Sequence, residues 1–95
     1  MDKLLELRDK LDVIDEQIVK LYEERMSICE EVANYKIEHG KKVLDRTREE
    51  EKLQTVQSKT TNEFNREAIC ELYELLMAQS RQLQKKIMSE NGIIE

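Results

Sequence analysis

The chain has 95 residues, of which 39% are apolar and 39% are charged, and its formal net charge is −5. It has no proline and only two glycines, a composition typical of long helices and unlike that of sheets joined by turns. The acidic balance without a basic run argues against nucleic acid as a partner, and no apolar run reaches the roughly 20 residues of a membrane span.

We therefore expect a single all-helical, cytoplasmic domain over residues 1–95, and its first helix is predicted at about residues 2–38. Gly40 can take the left-handed conformation that ends this helix. At about 1.5 Å per residue, the helix is more than about 50 Å long and extends past any compact globule of this size. Its apolar residues, spaced by three and four, share one face that a single chain leaves in water. The stripe therefore predicts an intertwined helical homodimer, in which two long helices pack along each other. Its members are Leu4, Leu7, Leu11, Ile14, Ile18, Leu21, Arg25, Ile28, Val32 and Tyr35.

One member of this stripe, Arg25, is charged. A guanidinium group is not neutralised in a protein, so a buried Arg25 requires an anionic partner, which is either a protein carboxylate or a ligand. Lys36 follows eleven residues later, within about 20° of the same face, and its side chain leans back towards Arg25. The two cations can bracket a small dianion; alternatively, Lys36 stays at the rim and Arg25 pairs with a glutamate.

Arg8 lies on the same predicted helix, about 25 Å from Arg25 along the axis and roughly 100° around it. The two side chains cannot touch one small ligand from the same chain. In an antiparallel dimer, Arg8 of one chain reaches the Arg25 site of the other. Taken alone, Arg8 also fits a solvated helix face.

The second helix is predicted at residues 46–60, with Asp45 as its N-cap. Arg48 and Glu49 lie in its first turn, where charged residues usually serve the cap and the helix dipole.

Outside the helices, His39 stands beside the helix-ending glycine, and we expect it in an exposed loop without a catalytic role. Cys29 and Cys70 are expected to be reduced core or near-core residues, since two distant cysteines form neither a metal-ligand set nor a disulfide framework.

The third helix is predicted at residues 66–89, capped by Asn65, with Phe64 and Ile69 as a hydrophobic staple. Ser80 and Gln84 fall on its apolar side, where a hydroxyl and an amide need hydrogen-bond partners. A structural hydrogen bond across the bundle, or a polar register device, explains them as readily as a ligand does. The apolar residues expected to be buried are Ile69, Leu72, Tyr73, Leu76, Leu83 and Ile87.

Taken together, these residues form a set that resembles the all-helical chorismate mutases over about residues 4–88. The resemblance combines an early Leu-Arg, a Glu-Arg followed eleven residues later by Lys, an Asp-x-x-Arg-Glu and a Ser-x-x-x-Gln. The matching segments are LLELRDKLDVIDEQIVKLYEER, EEVANYK, VLDRTREEE and ICELYELLMAQSRQLQ.

The resemblance implies a role for each polar residue of the set. Arg25 and, from the other subunit, Arg8 resemble the pair that binds the two substrate carboxylates. Lys36 resembles the cation at the ether oxygen of the breaking bond, and Gln84 resembles the second donor there. These four positions carry the expected chemistry, with Lys36, Gln84 and Arg25 as the catalytic residues.

The remaining matches concern the rest of the pocket. Asp45 and Glu49 resemble the positions that meet the ring hydroxyl and orient the site, while Arg48 and Ser80 resemble positions near the carboxylates. Arg81 departs from the family pattern, because an apolar neighbour of the pocket is common there. The apolar wall positions of the family are matched by Val32 and Met77.

The implied activity is the conversion of chorismate to prephenate in aromatic amino-acid biosynthesis. This intramolecular [3,3] rearrangement needs no nucleophile, metal or redox cofactor. An enzyme of this kind must fold a flexible dianion so that its reacting carbons meet, and it must stabilise negative charge growing on the ether oxygen. Two alternatives stay open: an isochorismate pyruvate lyase, which shares the helical dimer and a similar cationic pocket, and a non-catalytic helical dimerisation or regulatory module.

Overall fold

A computed structural model of the chain describes residues 2–94, and over that range it contains three helices and no strand. Helix α1 spans Lys3–Glu38, α2 spans Arg46–Ser58 and α3 spans Glu63–Glu90. α3 packs against both α1 and α2, which make no close contact with each other. Within the described range, no helix is long and apolar enough to cross a membrane. The predicted all-helical architecture with one very long helix is confirmed.

Helix α1 has the ends that its sequence predicts. The Asp2 side chain accepts a hydrogen bond from the backbone N–H of Leu4 at 2.9 Å, which makes Asp2 the N-cap. At the other end, Gly40 has a φ of 64°, the left-handed conformation that glycine adopts without a steric penalty. The helix has 36 residues and extends along the longest dimension of the molecule, which is 57 Å.

The first half of α1 projects away from the other helices. Within residues 3–21 every side chain except that of Glu6 is exposed, and the large apolar ones are 44–62% exposed. Nearer its C-terminal end, α1 turns a neighbouring face towards α3: Ala33 is fully buried, and the Tyr22 hydroxyl donates to Gln79 Oε1 at 2.7 Å. The predicted apolar stripe is therefore not buried within one chain, because α3 covers the face beside it.

Helix α2 ends earlier than predicted, at Ser58. Two hydroxyl groups end it by bonding back to the last turn: Ser58 Oγ donates to the Thr55 carbonyl and Thr60 Oγ1 donates to the Gln57 carbonyl, each at 2.7 Å. These bonds satisfy carbonyl groups that a continuing helix would otherwise use. The polar run after Val56 thus ends the helix two residues before the predicted boundary.

Helix α3 begins at Glu63, three residues before the predicted start, because the cap is Asn62 and not Asn65. The Asn62 side chain accepts a hydrogen bond from the backbone N–H of Asn65 at 2.7 Å. Phe64 consequently lies in the first turn and is 80% exposed. The predicted hydrophobic staple is therefore wrong.

The buried side of α3 also differs from the prediction. Its buried residues are Met77, Ser80, Gln84 and Met88, whereas Leu72 on the predicted apolar face is 48% exposed. The other members of that face are half-buried. The side of α3 that meets α1 thus carries two polar groups, and the predicted within-chain core is shifted around the helix.

The chain just beyond α3 forms a hydrogen-bonded turn. Gly92 has a φ of 75°, and the Ile93 N–H donates to the Met88 carbonyl at 2.9 Å. This bond closes a left-handed turn of the kind that commonly ends helices. The hydrogen-bonded structure therefore continues through Ile93.

The cap of α3 gives a testable prediction for stability. Replacing Asn62 by Ala removes the acceptor for the Asn65 N–H and should lower the free energy of unfolding by about 1 kcal/mol. Asn65→Ala is the matched control, since its side chain caps nothing, and we expect a change below about 0.5 kcal/mol. Urea titrations followed by circular dichroism measure both values. Equal losses for the two variants would contradict the assignment of Asn62 as the cap.

Candidate active site

A cavity of about 170 Å³ lies between the C-terminal half of α1, the start of α2 and the middle of α3. The structure brings seven of the eight predicted site residues together around it, from all three helices and the loop before α2. The two predicted apolar wall residues, Val32 and Met77, also line it. The seven are Arg25, Lys36, Asp45, Arg48, Glu49, Ser80 and Gln84.

Arg25 is half-buried and bonded only to neutral groups. Its Nη1 donates to Ser80 Oγ and, at 3.5 Å, to the carbonyl of Leu76. Ser80 Oγ in turn donates to the same carbonyl at 3.0 Å and accepts from Cys29 Sγ at 3.3 Å. No carboxylate among residues 2–94 lies within ion-pair distance of Arg25. The alternative in which Arg25 pairs with a glutamate of its own chain is therefore wrong.

Lys36, in the last turn of α1, is held by neutral acceptors as well. Its Nζ donates to the carbonyl of Val43 and to Gln84 Oε1, each at 2.9 Å. An ammonium group has three donors, so one N–H of Lys36 is not used by these bonds. The Gln84 Nε2 group has no hydrogen-bond partner within the described chain, although the residue is buried, with an exposed fraction of only 6%. Lys36 and Gln84 both line the cavity, and each has a donor that these bonds do not use.

The loop before α2 and the start of that helix form the opposite wall. The Asp45 side chain accepts a hydrogen bond from the backbone N–H of Arg48 at 3.0 Å, which confirms Asp45 as the N-cap of α2. The same residue lines the cavity. Glu49 forms an ion pair with Arg81 of α3. Arg81 also lines the cavity.

The charged residues around the cavity are mainly basic. Five basic and two acidic side chains line it, an excess of three positive charges in a chain whose net charge is −5. Cations that converge in a cleft raise the local concentration of anions. In the part of the chain that the structure describes, no group of three or more His, Cys, Asp or Glu is arranged to hold a metal ion. The charged lining residues are Arg25, Lys36, Arg48, Lys52, Arg81, Asp45 and Glu49.

Arg8 is the predicted site residue that the structure does not bring to this cavity. It is exposed on the projecting half of α1, about 25 Å along the helix from Arg25. Sequence reasoning also missed three lining residues, Cys29, Val43 and Lys52. For Lys52 a signal existed, because it follows Arg48 by four residues and shares its side of α2. Val43 lies in a loop, where no helical spacing indicates which way a residue faces.

Comparisons with known proteins agree with the resemblance in the sequence. Residues 7–85 match the family described as chorismate mutase type II. The bifunctional chorismate mutase/prephenate dehydratase of Buchnera aphidicola subsp. Acyrthosiphon pisum (strain APS) is 34% identical over 91 residues, which cover 94% of this chain but 23% of that protein. The chorismate mutase of Methanocaldococcus jannaschii is 32% identical over 92 residues, which cover 95% of this chain and 92% of that protein. The chain thus spans less than a quarter of the first relative and nearly all of the second.

Proposed function

The chain belongs to the type II chorismate mutase family, and we propose that its cavity converts chorismate to prephenate. The observation that carries this proposal is the pairing of Arg25 and Lys36 with neutral acceptors only. Cations held in this way keep their charge for a ligand, and chorismate is a small dianion. The names of the two relatives, each of which includes chorismate mutase, support the same reaction.

Substrate binding is assigned first to Arg25. Its bond to Ser80 Oγ fixes the orientation of the guanidinium group, and a fixed guanidinium can bind a carboxylate through two parallel hydrogen bonds. Arg48 lines the same cavity from α2 and supplies a second cation near the substrate carboxylates. Held at both ends, the flexible substrate is restricted to the folded form in which its two reacting carbons meet.

Rate acceleration is assigned to Lys36 and Gln84. As the C–O bond breaks, negative charge grows on the ether oxygen, and donors that are already in place stabilise that charge. The Lys36 ammonium is fixed by its bonds to Val43 and Gln84, so little reorganisation is needed when the substrate binds. The unused N–H of Lys36 and the Gln84 Nε2 group both donate to the ether oxygen in this proposal.

We assign the binding of the substrate's ring hydroxyl to Asp45 and Glu49. Both carboxylates line the cavity, and both are held, Asp45 by its bond to the Arg48 backbone and Glu49 by Arg81. A carboxylate accepts a hydrogen bond from a hydroxyl group. These two acceptors therefore orient the ring relative to the cationic side of the cavity.

We further propose that the active molecule is an intertwined homodimer, in which Arg8 of the second subunit completes the site. The projecting half of α1 exposes large apolar residues along its whole length, and monomeric proteins rarely expose so large a continuous apolar surface. Antiparallel packing of two α1 helices covers this surface. The same packing carries Arg8 of one chain to the Arg25 region of the other.

The proposed reaction is tested by incubating the purified protein separately with chorismate and with isochorismate. We expect chorismate absorbance to fall as prephenate forms. Salicylate and pyruvate from isochorismate, without prephenate from chorismate, would identify a lyase instead. Absence of turnover with both substrates would support a non-catalytic dimerisation or regulatory module.

Lys36→Ala should lower kcat by about 10²–10³-fold, since removing one donor to developing negative charge costs about 3–4 kcal/mol of transition-state stabilisation. Lys86→Ala, on the exposed side of α3, is the matched control and should leave kcat unchanged. Steady-state kinetics measure the effect, and circular dichroism establishes that the variant is folded. A folded Lys36→Ala variant with a near-normal rate would overturn the assignment.

Gln84→Glu should make the activity depend on pH, with higher activity under acidic conditions. The amide of Gln84 does not titrate, so its donor is present at every pH, whereas the introduced carboxyl donates only when it is protonated. Activity of the variant should therefore rise as the pH falls through the pKa of that carboxyl, while the wild type lacks this dependence. The pH profile of kcat/KM for both proteins measures the difference. Superimposable profiles would mean that residue 84 does not touch the ether oxygen.

Mixing inactive Arg8→Ala with inactive Arg25→Ala should restore activity. In the proposed dimer, each hybrid has one intact site and one site that lacks both arginines. Because half of freely exchanged dimers are hybrids, we expect about one quarter of the wild-type rate. Native mass spectrometry of the mixture measures the exchange itself. No recovery in a sample that contains hybrids would show that Arg8 does not serve the neighbouring site.

A further inference from the structure

Building on the proposed function, we propose that Arg81 is a positioning residue that holds Glu49 away from the cations of the cavity. Arg81 lies on α3 and Glu49 on α2, and their ion pair joins the two helices at the cavity wall. By this pairing, Arg81 leaves Arg48 and Lys52 unpaired and available to the anionic substrate. Arg81 thus acts through Glu49, without contact to the reacting atoms.

The first support is the environment of the ion pair. The Arg81 and Glu49 side chains are only 29% and 22% exposed, whereas those of the Arg66–Glu63 pair, at the start of α3, are 48% and 73% exposed. Water screens charges less in the more buried position, so the attraction between Arg81 and Glu49 is the stronger one. This pair is therefore able to hold the carboxylate in one place.

The second support is that Glu49 has other possible cationic partners on its own helix, α2. Glu49 is followed three residues later by Lys52, a spacing at which opposite charges on a helix normally pair. In the described chain, however, no ion pair joins Glu49 to Lys52 or to Arg48, and Glu49 pairs with Arg81. Without Arg81, the carboxylate would turn to the nearest cation on its own helix. That pairing would remove a positive charge from the cavity.

The third support is the weak attachment of α2. This helix has no buried residue and packs against α3 alone. The Arg81–Glu49 pair ties its first turn to α3, directly beside Asp45 and Arg48. The same contact therefore keeps the α2 wall of the cavity at a fixed distance from the α3 wall.

A double-mutant cycle in the 95-residue chain tests the proposal. Arg81→Met removes the charge but keeps an unbranched side chain, and it should raise KM for chorismate about tenfold while changing kcat less. Arg81→Lys keeps the charge and should restore most of the affinity. Arg66→Met breaks the exposed ion pair of the same helix and, as the matched control, should leave KM unchanged.

The decisive comparison is made in the Glu49→Gln background. With no carboxylate to release, Arg81→Met should cause no further rise in KM there. The same rise in both backgrounds would overturn the proposal, since it would mean that Arg81 acts independently of Glu49, for example by binding the substrate itself. An unchanged KM for Arg81→Met in the otherwise wild-type protein would also overturn it.

Two further measurements distinguish these outcomes from misfolding or altered assembly and from a failure of the proposed function. Circular dichroism and size-exclusion chromatography establish folding and assembly, and if Arg81→Met does not fold, Arg81→Gln replaces it in both backgrounds. Activity of the wild type is measured first. A wild type that does not convert chorismate refutes the proposed function, whereas an active wild type with additive effects of the two substitutions refutes only the role of Arg81.

Discussion

The structure depends on one unusual contact, in which the Arg25 guanidinium reaches from α1 to the Ser80 hydroxyl of α3. Both partners interrupt otherwise apolar helix faces, and the hydroxyl orients the guanidinium without cancelling its charge. Lys36 repeats the arrangement about three turns later, between a backbone carbonyl and Gln84. Since a partly buried cation is costly unless an anion balances it, these two contacts are the basis for the proposal that a dianion completes the site.

This polar contact also explains where the apolar surface lies. The side of α3 that meets α1 carries Ser80 and Gln84, and both are buried. The leucine-rich stripe of α1 is left outside, together with the projecting first half of the helix. One chain thus uses its within-chain interface to build the cavity and leaves its apolar stripe exposed, and in the proposed dimer a second copy covers that stripe. Assembly and substrate binding are linked in this proposal, because the packing that covers the stripe also brings Arg8 to the neighbouring site.

Helical spacing predicted most of the fold, and the resemblance to a family of known function supplied the proposed site residues. The set Arg25, Lys36, Ser80 and Gln84 was recognisable because polar residues at apolar positions of a periodic pattern stand out. The start of α3 was misplaced because Asn62 and Asn65 are both good caps, and the choice between them depends on local geometry. The loop residue Val43, like the long-range pair of Glu49 with Arg81, could not be predicted, since no spacing along one helix encodes a contact between elements.

The most direct test of the central claim is calorimetric titration of the protein with a bicyclic dicarboxylate that mimics the transition state. We expect one bound ligand per chain, an affinity that falls as salt screens the charges, and loss of binding in Arg25→Met. Absence of binding, or an affinity that Arg25→Met leaves unchanged, would contradict the claim that this guanidinium is held free for a dianion.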